Sequence, residues 1–163
     1  MLASAMALTL ALFQPDIPQN CGTMLRMCAC LGVNAAIIEP AGFPVSDRHF
    51  RRAGMDYLDE VTIDRHVSWT AFQHWRAEKG RRLILLTTKS AENYTSFAFQ
   101  PDDVVMVGRE SAGAPDEVHD AADARLLIPM KPQMRSLNVA VSAAMVLGEA
   151  LRQTTKIDAT RMP

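Results

Sequence analysis

ARLLIPMKPQMRSLNVAVSAAMVLGEALR, residues 124–152, is the stretch whose reading decides the fold. It has three parts. Arg125-Leu126-Leu127-Ile128 is a short apolar run, long enough for a buried strand. Residues 129–135 make a loop stiffened by Pro129 and Pro132, which fix their own φ and bias the residues before them to extended geometry. Ser136 sits where an N-cap is expected, and a helix follows to about Arg152. Between Leu137 and Leu151 only Asn138, Ser142 and Glu149 are polar or charged. A surface helix carries one apolar stripe, whereas this one is apolar nearly all round. It has to be covered on two sides. Either its own domain wraps it, or one face packs on the chain's own sheet and the other on a second subunit. A single small domain seldom surrounds a helix, which favours the second reading. Ala140, Ala143, Ala144 and Gly148 would let two backbones approach closely.

Upstream, strands and helices alternate. Residues 7–13 read as a buried strand ended by Gln14-Pro15. A helix begins at Asn20 or Gly22 and is closed by Gly32. Residues 34–38 form a second apolar strand. Ser46 can cap a basic helix, DRHFRRAGM, that stops around Gly54, and residues 60–63 are a short strand candidate. Ser68 caps a helix with Trp69, Phe72 and Trp75 on one face. Residues 83–86 and 103–107 are further strands, and a short helix starts from Pro115. Strands that are unbroken apolar runs, alternating with helices, give an α/β domain with a mostly parallel sheet and helices on both faces. Ligands of such sheets sit beyond the carboxyl ends of the strands. The pocket is therefore expected where Leu86-Thr87-Thr88, Val107-Gly108-Arg109-Glu110 and Ile128-Pro129-Met130 meet.

The chain's 163 residues suffice for one domain with a core, and no linker or repeat divides them. Hydrophobic content of 48% and charged content of 21% are ordinary for a soluble globular protein. A net charge of -1 argues against holding nucleic acid by overall charge, though local basic clusters remain available. The cysteines, Cys21, Cys28 and Cys30, are odd in number and lack ligand spacing, as in a reduced, cytoplasmic protein without a zinc site. MLASAMALTLALF lacks a basic n-region and is too short to span a membrane, so it reads as the lead-in to a first strand.

Each candidate motif has a plain structural reading beside the chemical one. The loop from Gly108 to Gly113 is neither a Walker A loop nor G-x-G-x-x-G, and alone it is a tight turn as often as a site. Arg26, amid Met24, Leu25, Met27 and Cys28, is either a snorkelling side chain or an anion clamp. Arg48, His49, Arg51 and Arg52 form one basic cluster, and Arg76, Lys79, Arg81 and Arg82 a second. Each is a solvated face or an RNA contact. Cys21 near a helix start could be a nucleophile, but the four histidines offer it no diagnostic base.

Taken in order, three segments resemble a known family. They are Pro15-Asp16-Ile17-Pro18-Gln19-Asn20-Cys21-Gly22-Thr23 with Arg26, then Val107-Gly108-Arg109-Glu110-Ser111-Ala112-Gly113, then Ile128-Pro129-Met130 through Arg135-Ser136-Leu137-Asn138. They are similar to the signature motifs of the SpoU branch of the SPOUT RNA 2′-O-ribose methyltransferases. Ile37-Ile38-Glu39-Pro40, Arg51-Arg52-Ala53-Gly54-Met55-Asp56-Tyr57 and Leu86-Thr87-Thr88-Lys89 resemble its small single-domain members, which methylate the wobble cytidine or modified uridine of tRNA. Two positions depart from the pattern. Cys21 stands where Thr is frequent, and Arg109 where Pro or another residue is found.

The resemblance implies a trefoil-knotted C-terminal region and one domain over residues 1–163, with a short extension at 1–5 and a tail at 154–163. It also implies a cytoplasmic homodimer that binds S-adenosylmethionine, acts on the anticodon region of tRNA and needs no metal. By position, Leu86, Gly108, Ile128 and Ser136 match the family's cofactor contacts. Arg26 matches its catalytic residue, reaching the facing subunit, and Asn138 and Glu110 hold the site by hydrogen bonds. Two alternatives stay open: the same chemistry on another RNA, and a non-catalytic RNA-binding module on the same fold.

Overall fold

The structure, a computed structural model, describes residues 7–90 and 92–155. The extension at 1–5 and all but the first two residues of the tail lie outside the described residues. Among those described, seven strands form one sheet: β1 (Thr9–Phe13), β2 (Asn34–Ile38), β3 (Ile63–His66), β4 (Leu83–Leu86), β5 (Glu92–Asn93), β6 (Val104–Val107) and β7 (Ala124–Leu127). Five α-helices connect them: α1 (Pro18–Leu31), α2 (Asp47–Arg52), α3 (Trp69–Lys79), α4 (Asp116–Ala121) and α5 (Val139–Thr154). The strand order is β3-β2-β1-β6-β4-β7-β5, and every strand pairing is parallel.

Parallel strands covered on both faces must be apolar on both faces. The central strands obey this residue by residue. Leu10, Leu12, Ala35, Ile37, Ile84, Val105, Val107 and Leu126 point into one core layer, which α5 completes with Ala143, Val146, Leu147 and Ala150 and α1 with Met24, Leu25 and Cys28. Ala11, Phe13, Ala36, Ile38, Leu83, Leu85, Val104 and Met106 point into the other, closed by Phe72 of α3 and Val118 of α4. Full burial of each large aliphatic or aromatic side chain contributes about 1.5–3 kcal/mol, so these two layers carry most of the stability.

Several boundaries differ from the sequence expectation, each for a local reason. α1 starts at Pro18, earlier than Asn20 or Gly22. A proline at the first helical position presets φ and lacks only an N–H that no helical carbonyl would have used. Gly32 ends this helix as expected, at φ 67°, with its N–H donated to the Cys28 carbonyl. The strand expected at 60–63 is instead Ile63–His66, because Leu58–Glu60 closes a 3-10 turn. Asp64 and Arg65 are tolerated in it because β3 is an edge strand, paired only with β2. The last helix is capped by Asn138, not Ser136: Asn138 Oδ1 accepts from Ala140 N at 2.8 Å and Val141 N at 3.2 Å. Ser136 stays in the preceding loop. The two-residue strand β5 had no apolar pattern to announce it.

The second basic cluster is structural. Arg82 grips the fully buried Asp103 through Nε at 2.8 Å and Nη2 at 2.7 Å. Arg81 donates to the carbonyls of Asp102 and Ala7, and Arg76 to Asp123 Oδ2. These bonds lash the amino ends of the strands together, at the edge opposite the pocket.

Candidate active site

The strand order reverses between β1 and β6, since β2 lies beyond β1 on one side and β4 beyond β6 on the other. Loops leaving two such neighbours diverge to opposite faces and open a crevice at the carboxyl edge. Here the two loops are stitched together. Asp16 N donates to Glu110 Oε2 at 3.1 Å, and Glu110 N donates to Asp16 Oδ1 at 3.1 Å. The Ser111 hydroxyl donates to Asp16 Oδ2. The hydrogen bond from the Glu110 side chain holds Asp16 down to about 2. Burial, then the bond to Asp16, raises Glu110 above the ordinary carboxylate range. As pH rises, Asp16 therefore gives up its proton before Glu110 does.

A cavity of about 510 Å³ opens beside this stitch, at the ends of β4, β6 and β7 and the start of α5. That is the meeting point expected from the strand ends, and the volume suits a small-molecule site. Leu86, Leu126, Ile128, Met130 and Leu137 supply apolar wall, and Asn20, Thr87, Ser136, Asn138 and Ser142 supply polar groups. Leu86, Gly108, Ile128, Ser136, Asn138 and Glu110, all singled out in the sequence, thus line one cavity.

Gly108 has a reason of its own. A Cβ there would stand 2.6 Å from Ala114 N and from the Gly113 carbonyl carbon. The glycine is required by the loop folding back on itself, before any ligand approaches. Gly113 turns that loop at φ 65°, and Arg109 and Gly113 exchange backbone hydrogen bonds of 3.1 and 2.8 Å.

Asn138 joins the cavity to α1. Its Nδ2 donates to Asn20 Oδ1 at 3.1 Å while its oxygen caps α5. Arg26 does not reach this cavity. It is exposed on α1, its guanidinium 5.5 Å from the Tyr57 ring centroid, and Tyr57 donates its hydroxyl proton to the Gly22 carbonyl at 2.9 Å. The tyrosine thus fixes one flank of a cation that is not among the residues lining its own chain's pocket.

One group on the wall, His119, was not singled out in the sequence, and its pairing with the strand-end Thr87 was not foreseen. His119 Nδ1 lies 3.2 Å from the Pro115 carbonyl, and its Nε2 lies 2.8 Å from Thr87 Oγ1. A carbonyl only accepts, so Nδ1 carries the proton and Nε2 accepts from the threonine. The 32-residue separation of that pair hides it from any motif. The Asp16–Glu110 contact spans 94 residues and was hidden in the same way, although both members stood inside recognised segments.

Cys21 and Cys28 are buried, and burial pushes both thiols up to about 12, which removes Cys21 as a nucleophile. Among the described residues no cluster of three or more His, Cys, Asp or Glu is placed to hold a metal, and no helix is long and apolar enough to cross a membrane.

The SpoU rRNA methylase family matches residues 7–148. The chain belongs to that family. A tRNA (cytidine(34)-2′-O)-methyltransferase of Beijerinckia indica is 74% identical over 144 residues, covering 88% of this chain and 90% of its own. A solved structure described as giving insight into 2-OH methylation of C/U34 on tRNA superposes with a TM-score of 0.83 at 36% identity, covering 92% of this chain and 97% of that one. At 23% identity the SpoU methyltransferase AviRb of Streptomyces viridochromogenes, in complex with AdoMet, shares the fold with a TM-score of 0.80. It is matched over 93% of this chain and 62% of its own. The SpoU fold is thus an all-parallel sheet here, with its crevice at the β1–β6 reversal.

Proposed function

We propose that this chain transfers a methyl group from S-adenosylmethionine to the ribose 2′-oxygen of the wobble nucleotide, cytidine or a modified uridine, of tRNA. The observation that carries the reading is the 74% identity over most of both chains to a tRNA (cytidine(34)-2′-O)-methyltransferase. The cavity supports it independently. Its apolar strand-end wall suits an adenine, and its peptide and hydroxyl groups suit hydrogen bonds to a nucleoside. Leu86, Gly108, Ile128 and Ser136 would hold S-adenosylmethionine there. When bound, it supplies a methyl carbon activated by a sulfonium sulfur.

The chain's own residues do the positioning. Holding both reactants in line contributes up to about 7–11 kcal/mol to such a reaction. Asn138 and Asn20 tie the start of α5 to α1, and Glu110 and Asp16 tie the β6 loop to the β1 loop. Four segments distant in sequence are thereby fixed around one crevice. Arg26 orients the ribose and adjacent phosphate and stabilises the forming alkoxide through a planar, permanently charged donor fork.

The working unit in this reading is a cytoplasmic homodimer of single-domain chains with a knotted C-terminal region. Arg26 is exposed and outside its own cavity, which suits delivery to the cavity of the facing copy. The outer face of α5 supports the same assembly: Val141 and Met145 are 48% and 39% exposed. The test is a reaction of purified protein, tRNA and labelled S-adenosylmethionine, followed by nuclease digestion and mass spectrometry. A 2′-O-methyl group at the wobble nucleotide is the expected product. Methyl on a base, on another nucleotide, or nowhere defeats the reading.

A further inference from the structure

Arg109 follows β6 directly and lines the cavity. Its backbone is pinned to Gly113 by two hydrogen bonds, so its side chain departs from a fixed hairpin. Nε is buried and meets no acceptor among the described residues. None of the ion pairs found among those residues uses its guanidinium. Folded proteins leave few buried donors unmet, and a cavity wall is where the missing acceptor arrives with a ligand.

The charges around it favour an anion. Arg109 and Lys89 both line the cavity, and the only carboxyl among its lining residues belongs to Glu110. Its Oε2 accepts from Asp16 N, its Oε1 is buried without a partner among the described residues, and it forms no ion pair with Arg109 among those found. Arg109 thus lines the cavity without an ion pair among those found in the described residues. Its planar fork matches a carboxylate bidentately. A phosphate of RNA would approach from the surface, whereas the unmet Nε is buried within a wall sized for a small molecule.

We propose that Arg109 binds the carboxylate of the amino-acid arm of the methyl donor. The proposal rests on the methyl-transfer reading above. Isothermal titration with two probes tests it: S-adenosylhomocysteine, which carries the arm, and 5′-methylthioadenosine, which has the same nucleoside and thioether without it. Arg109→Gln is expected to weaken S-adenosylhomocysteine binding roughly ten- to a hundredfold and leave 5′-methylthioadenosine binding unchanged. Binding of the second probe also verifies that the variant's cavity is intact. Arg109→Lys keeps the charge without the fork and is expected to recover part of the loss. Equal losses for both probes, or no loss for either, overturn the proposal. A loss confined to tRNA affinity overturns it too, and assigns the side chain to a phosphate. Wild-type protein that binds neither probe defeats the methyl-transfer reading itself, a result distinct from any of these.

Discussion

Helices α3 and α5 pack on opposite faces of the same sheet, and only one of them is finished. α3 has a single apolar face. Trp69, Phe72 and Trp75 stack along it with centroids 5.6 and 5.7 Å apart, and Phe72 is fully buried. Its other side, with Thr70, His74, Glu78 and Lys79, is exposed and polar. Ser68 caps its start, accepting from Ala71 N, and Gly80 ends it at φ 61°. α5 buries Ala143, Val146, Leu147 and Ala150 just as completely, yet it also presents Val141, Ala144, Met145 and Gly148 to solvent. The first helix is complete within one chain. The second leaves an apolar face exposed, and it is the one whose N-cap lines the cavity. In the proposed dimer, assembly and chemistry meet on the same element.

The largest expected effect falls on Arg26 of α1, the residue the proposed assembly would deliver to the cavity of the facing copy. Arg26→Ala should lower methyl transfer a thousandfold or more, about 4 kcal/mol, while S-adenosylhomocysteine affinity by titration stays nearly unchanged. Unchanged turnover would remove Arg26 from the chemistry. On the finished side, Phe72→Ala should cost about 3–4 kcal/mol of stability in urea denaturation, because a fully buried ring leaves a cavity that the stack cannot close. A loss below about 1 kcal/mol would mean that α3 is not the anchored helix described here.

The comparison sharpens with matched charges. Val141→Glu should weaken self-association by about 2–3 kcal/mol, since the carboxylate would be buried without a partner in the assembled form only. Thr70→Glu on the outer side of α3 should change association and stability by no more than about 0.5 kcal/mol. Equal behaviour of the two variants in sedimentation would erase the distinction between the helices.

The smallest effect concerns the stitch between the β1 and β6 loops. Asp16 is held down to about 2 in the fold, below its ordinary 3.8, so its ionised form stabilises the fold above about pH 4. That contribution is lost as pH falls from 4 through 2. Glu110 has the opposite sign: its raised pKa favours the protonated form, and stability declines as pH rises past the ordinary glutamate value. Asp16→Asn should therefore flatten the acid limb of stability between pH 4 and 2 in denaturation series. A limb as steep as that of the wild type would show that the stitch does not favour ionised Asp16 as described.

Much of the fold was legible in the sequence because its central strands are apolar on both faces. An unbroken run such as Leu83-Ile84-Leu85-Leu86 has one reading between polar flanks. The location of the cavity followed from the strand ends alone. Polar edges were harder. β3, carrying Asp64 and Arg65, was misplaced by three residues, and β5 had no pattern at all. Ser136 and Asn138 are both good caps by type, and the loop conformation before α5 decided between them. Contacts across the sheet could not be read either. Asp16 to Glu110 and Thr87 to His119 depend on strand order, which no local periodicity encodes. The second basic cluster read as a solvated face or an RNA contact, and neither reading anticipated the partners of its arginines, Asp103, Asp123 and the carbonyls of Ala7 and Asp102.

The central claim is that one copy supplies the cavity and its twin supplies Arg26. Its most direct test measures sedimentation and methyl transfer on the same dilution series. Specific activity that falls in step with the dimer fraction, in the wild type and at higher concentration in Val141→Glu, is the expected result. A sedimenting monomer that methylates tRNA at full specific activity contradicts it.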